Sequence, residues 1–136
     1  MKRRNWLTLA VIALCTVPLL ALIHGEARKG AQQQAQREVF YSKDILPIIQ
    51  KHCITCHAEE NEHPSELFMD SYESLMRGGR HGKTVVPGNA TESLMHRKLL
   101  PNPPFGRMMP PSKKLKLSEE QIETIRLWIE QGAKKN

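Results

Sequence analysis

Aromatic side chains are scarce in this sequence: three Phe, two Tyr and two Trp among 136 residues. Six of them (Phe40, Tyr41, Phe68, Tyr72, Phe105 and Trp128) fall beyond residue 37, little material for a core of about a hundred residues. A domain of that size buries about two-thirds of its unfolded surface and is often helped by a covalent or cofactor staple. Nine prolines also work against long regular elements. A large buried prosthetic group would supply the missing core.

Other absences narrow the function. The glycine-rich stretch "RGGRHGK" (77–83) lacks the spacing of a phosphate-binding loop and does not open an apolar helix. No nucleic-acid motif is present, and the formal charge of +6 is partly contributed by the first residues. From Arg37 onward fifteen Lys/Arg face thirteen Asp/Glu, so the charge does not imply a nucleic-acid partner.

A single long apolar run exists, Leu7 to Ile23, interrupted by two threonines and Pro18 and preceded by Lys2, Arg3 and Arg4. The apolar part of a signal peptide spans ~7–15 residues and a membrane helix needs ~17–25. This run lies on the boundary. Gly25-Glu26-Ala27 offers small residues for cleavage after Ala27, whereas Cys15 does not read as a lipid acceptor, because Leu14 is too large. We expect residues 1–27 to be a signal peptide or an uncleaved membrane anchor, with a lean towards the anchor. Either one exports the rest of the chain, since the three cations stay on the cytoplasmic side. The glutamine-rich stretch 28–37 reads as a polar linker. The folded domain, 38–136, is expected in the periplasm or on the outer face of the cytoplasmic membrane, anchored by residues 7–23.

Within that domain the pattern is helical. "YSKDILPIIQKHC" predicts a helix capped by Ser42 or Asp44, with Pro47 in its first turn and Ile45, Ile48, Ile49 and His52 on one face. A short helix is expected around Ser71–Met76, a type II turn at Pro87-Gly88, and a further helix entered at Asn89 or Thr91, with Leu94, Met95 and Leu99 inward. "PNPPFGRMMPPSKKLK" carries five prolines and predicts a stiff, extended loop. The last helix is the best defined. Ser118 and Gln121 form a capping box, and Leu117 and Ile122 are placed for a hydrophobic staple. Ile122, Ile125, Trp128 and Ile129 make an apolar stripe, and Gly132 suits the C-terminal cap.

The chemistry lies in "QKHCITCHAEE" (50–60). Cys-x-x-Cys-His is the attachment pattern of c-type haem. Two thiols add across the two vinyl groups of the porphyrin, and the next residue is carried under the ring. Cys53 and Cys56 are the expected thioether anchors of one haem c, and His57 the proximal iron ligand. Three other readings are weaker. A Cys53–Cys56 disulfide closes a very small, strained ring. A thioredoxin-like pair follows a strand, whereas here a helix comes first. A zinc site would need a fourth ligand beside Cys53, Cys56 and His63.

A second strong iron ligand makes a haem an electron shuttle, and its absence leaves iron open to small molecules. Met69, Met76 and Met95 read as core packing. "RMMPP" differs, because two prolines after Met109 fix the backbone and can hold a thioether against iron. Such a soft ligand favours Fe(II). Met109 is the first choice and Met108 the alternative. His52 borders the motif and packs or faces solvent. His63 lies in an acidic loop, and His81 and His96 sit among cations on expected surfaces.

These residues give the chain a resemblance to the monohaem cytochrome c superfamily, in particular its Planctomycete-type branch. The resemblance runs from about Phe40 to Ala133. It rests on "DILPIIQKHCITCH", "LMRGGRHGKTVVPGNATESLM" and "RMMPPSKKLKLSEEQIETIRLWIEQGA", in that order. It implies a mostly α, cytochrome c-like fold in which the N- and C-terminal helices cross and one covalent haem lies in the loops between. His/Met ligation is implied too, Met109 matching the methionine before Pro-Pro. The extra Met108 and the acidic stretch at 59–66 depart from the pattern.

Charge is segregated along the domain. Residues 59–73 carry six carboxylates, and residues 77–116 carry nine Lys/Arg against Glu92 alone. Lys113, Lys114 and Lys116 flank the proposed ligand loop and suit a redox partner with an acidic docking surface. The function expected from the sequence is single-electron carriage by Fe(III)/Fe(II) cycling rather than catalysis. The alternative is a haem-based enzyme or gas sensor with a labile sixth ligand. A third class is an assembly subunit whose anchor matters more than its redox couple.

Overall fold

The computed structural model describes residues 37–136. The leader, 1–27, and the linker up to residue 36 lie outside the described residues. Among the described residues no helix is long and apolar enough to cross a membrane.

All regular structure among the described residues is helical, without strands; an isolated bridge joins Gly79 and Gly82. The first helix does not start from the Ser42 or Asp44 cap expected of it. Phe40 occupies the cap position without a side-chain bond, and Tyr41–Ile45 forms a π-type turn that runs into α1 (Leu46–His52). Pro47 explains the wide turn, because its ring would crowd the carbonyl four residues back and it has no N–H to donate. Asp44 instead reaches back, its Oδ2 accepting the Phe40 N–H at 2.8 Å. Ile45, Ile48, Ile49 and His52 all face inward.

One turn of helix, α2 (Ile54–His57), carries the cysteine motif. A loop with a 3-10 turn at Glu59–Asn61 leads to α3 (Tyr72–Arg77), whose N-terminus is capped by Ser71 accepting from Ser74 N–H. The 86–89 turn closes with Asn89 N–H on the Val86 carbonyl at 3.0 Å, and Gly88 sits at φ +81°. That value suits the third position of a type II turn. The Gly88 N–H also meets the Ile129 carbonyl at 2.7 Å, docking the turn on the last helix.

The next helix, α4 (Leu94–Arg97), starts later than Asn89 or Thr91. Asn89 spends its side chain on Thr91 Oγ1 and Glu92 N–H, and buried Ser93 donates to the Asn89 carbonyl. These local bonds satisfy the turn without helix. His96 is buried rather than on the surface expected for it, its Nδ1 on the Ala90 carbonyl at 3.2 Å.

The proline-rich stretch is irregular up to a 3-10 turn at Lys113–Leu115, and α5 (Glu119–Glu130) closes the domain. Both halves of the Ser118/Gln121 capping box form. At the other end Ala133 N–H bonds the Trp128 carbonyl and Gly132 N–H the Ile129 carbonyl, a Schellman pair with Gly132 at φ +98°. Trp128 sits in the core with its ring 5.7 Å from that of Tyr41. This contact, with Val39 N–H on Gln131 Oε1, joins the first and last helical segments. The site lies in the loops between them.

Candidate functional site

A cavity of about 320 Å³ opens among those loops. It falls at the lower end of the ~300–1,000 Å³ typical of ligand sites. Cys53, Cys56 and His57 line one part of it, and Met109 with Pro110 and Pro111 another. Met108 is not among the lining residues and is 38% exposed.

The cysteines are unpaired and sit in unlike places: Cys56 is exposed, Cys53 half-buried. Burial, with a smaller contribution from neighbouring Cys56, pushes the Cys53 thiol up to about 11. It is therefore a protonated thiol at neutral pH. Between them, Cys56 and His57 N–H groups bond the Cys53 carbonyl at 3.1 and 3.0 Å, which winds the motif into a single turn.

His57 is oriented by backbone. Its Nδ1 lies 3.0 Å from the Leu67 carbonyl, which only accepts, so Nδ1 carries the proton. Burial holds the imidazole below the ordinary histidine value, and the Leu67 bond partly offsets this. A neutral ring with Nδ1–H leaves a lone pair on Nε2, the state in which histidine binds metal. His57 N–H and C=O are engaged as well, the carbonyl accepting from Met69 N–H at 2.7 Å.

The 65–67 segment that supplies the carbonyl is itself held by close backbone approach. A Cβ on Gly79 would fall 2.5 Å from the Ser65 carbonyl oxygen and 2.9 Å from Leu67 Cα. The Arg80 N–H bonds the Ser65 carbonyl at 2.8 Å. The glycine pair at 78–79 thus serves close approach of backbone to backbone. His63 stacks on His57, ring centroids 4.6 Å apart, with its Nδ1 held by Ser65. Among the described residues no group of three or more His, Cys, Asp or Glu side chains converges.

On the other wall the Met109 N–H donates to the Lys98 carbonyl at 2.7 Å, fastening the proline-rich loop to the end of α4. Lys98 Nζ bonds the Phe105 carbonyl and lies 4.6 Å over the Phe105 ring, which also stacks on His81 at 4.2 Å. Met69 and Met95, expected as core, are buried and also contribute to the cavity wall.

A family profile described as Planctomycete cytochrome C matches residues 53–113, from the first cysteine of the motif to just past Met109-Pro110-Pro111. Over those residues the chain is similar to a cytochrome c-type domain. Domains of this kind bind haem and transfer electrons. No curated protein and no solved structure matches the chain.

The donor set of this cavity fits haem. The cavity walls are mainly apolar, as a porphyrin face requires, and its lining contains no Asp or Glu. Its fixed cations are Lys98 and Arg107, suited to the two carboxylates such a ring carries. Four participants were not assigned a site role from the sequence: the Leu67 carbonyl, Gly79, Lys98 and Arg107. A backbone carbonyl carries no residue-type signal, whereas Gly78-Gly79 could have been read as a close approach of two chains.

Proposed function

We propose that this protein is an exported monohaem c-type cytochrome that carries single electrons. Cys53 and Cys56 would hold the porphyrin through thioethers, His57 Nε2 would bind iron from one side, and Met109 from the other. Lys98 and Arg107 would take the carboxylates. The observation that carries this reading is the shared cavity: the Cys-x-x-Cys-His turn and Met109 both line it, while His57 presents a neutral ring fixed through Nδ1.

Bound there, haem supplies a one-electron Fe(III)/Fe(II) couple. The chain's part is to keep the surroundings unchanged between the two states. His57 is locked by the Leu67 carbonyl, and Met109 is fastened at its own N–H by Lys98. The mainly apolar wall would limit water around the bound group. Residues 7–23 would place the domain at the outer face of the cytoplasmic membrane or deliver it to the periplasm. The exposed Lys113, Lys114 and Lys116 would face an acidic redox partner.

Carbon monoxide added to the reduced holoprotein at neutral pH tests the assignment. A six-coordinate carrier resists it. Prompt, tight binding would contradict the reading and favour a gas sensor or a haem enzyme.

A further inference from the structure

His52 ends α1 immediately before the cysteine motif and is only 6% exposed. It lines the same cavity. Its Nδ1 lies 2.7 Å from the Leu115 carbonyl, which can only accept, so this nitrogen carries the proton. Nε2 is then an acceptor, and the Gln121 side-chain amide nitrogen lies 3.3 Å away. The orientation of that amide is fixed independently, because Gln121 Oε1 is committed to Ser118 N–H at 2.9 Å in the capping box. One imidazole therefore joins three elements: the helix leading into Cys53, the 3-10 turn Lys113–Leu115, and the first turn of α5.

Leu115 lies six residues beyond Met109, across Pro110, Pro111 and Ser112. The loop bearing Met109 is thus fastened on both sides. Met109 N–H on the Lys98 carbonyl is the upstream fastening, and the Leu115 carbonyl on His52 the downstream one. Regular structure contributes little between them, so these bonds carry much of the loop's order.

We infer that His52 is a positioning residue that holds the Met109 loop closed over the iron. This rests on Met109 being the distal ligand. His52 touches Leu115 and Gln121; it acts on Met109 through the loop. A buried histidine that merely filled the core would affect global stability and nothing else, and the two roles separate by measurement.

The test compares holoproteins carrying His52→Phe, His52→Asn, Val85→Ala and Met109→Ala, each checked by mass for attached haem. Phenylalanine keeps the ring volume and removes both hydrogen bonds. Asparagine keeps a donor at the Nδ1 position. Val85 is buried outside the cavity and supplies a destabilised control. One net hydrogen bond corresponds to roughly a tenfold change in an equilibrium. His52→Phe should therefore bind carbon monoxide about tenfold more tightly in the reduced state and lose part of the long-wavelength band of methionine-ligated Fe(III). His52→Asn should restore both towards the parent. Val85→Ala should lower the melting temperature and leave both unchanged. Parental carbon monoxide affinity and band intensity in His52→Phe would overturn the proposal, as would His52→Asn behaving like His52→Phe. Loss of the band in Met109→Ala keeps the ligand assignment standing whatever His52 does. Persistence of the band there would overturn the ligand assignment and this proposal together.

Discussion

Met108 and Met109 are neighbours with the same side chain, and their surroundings separate them. Met109 lines the cavity with its N–H on the Lys98 carbonyl, while Met108 is turned out to solvent. Met109→Ala should abolish the weak long-wavelength band of the oxidised protein, and Met108→Ala should leave it; absorption spectra of the two variants check this. The reverse pattern would move the ligand by one residue. The cysteines are separated in the same way. In protein made without haem, Cys53 titrates at about 11, and a thiol in the unfolded chain near ~8.5. Between those values the unfolded state loses a proton that the folded state keeps, so the Cys53 contribution to stability is full below ~8.5 and is lost as pH rises towards 11. Urea titrations of the haem-free protein and its Cys53→Ser variant, compared from about pH 7 to 10, would show the parent losing more stability. Parallel curves would show that this thiol is not buried. Gly79 supplies the third case. A methyl group there meets the Ser65 carbonyl oxygen at 2.5 Å, so Gly79→Ala should cost about 1–3 kcal/mol and loosen the Leu67 carbonyl from His57. Thermal melts of the holoprotein measure the loss.

Among the elements, α5 is the one whose start, stripe and stop are all legible in the sequence. Each of its signals is local: Ser118 and Gln121 lie three apart, the apolar stripe repeats at helical spacing, and Gly132 ends it. Ser118→Ala should cost about 1 kcal/mol in denaturant unfolding, a typical capping loss. An unchanged midpoint would mean the box contributes nothing. The starts of α1 and α4 depart from expectation for physical reasons. Pro47 widens the turn before it into a π-type turn, and Asn89 and Ser93 satisfy backbone groups that a helix would otherwise have used. The residues proposed to hold haem stand out in the sequence because Cys53, Cys56 and His57 sit within five positions. The walls do not. His52 meets Leu115 and Gln121 across more than sixty positions, and Leu67 acts through a backbone oxygen that any residue would provide.

Across the whole domain, the six carboxylate residues of 59–73 are exposed, and so are Arg107, Lys113, Lys114 and Lys116 beside the Met109 loop. Some of the acidic charge is already paired, Glu66 with Arg80 and Glu73 with Lys135. The lysines on the loop are the group suited to steer an acidic partner. Electron transfer to such a partner should slow as ionic strength rises through the ~0.01–0.15 M range, where screening shortens from about 30 to 8 Å. A flat profile, read by stopped flow, would remove these lysines from docking. Electron carriage of this kind presupposes a porphyrin joined to the Cys-x-x-Cys-His turn. The most direct test is the intact mass of the exported protein, matured in a host able to attach haem, together with its reduced spectrum. We predict a mass increased by one haem, stable to denaturation and acid extraction, with a c-type α band. A colourless protein at the bare polypeptide mass would contradict the account.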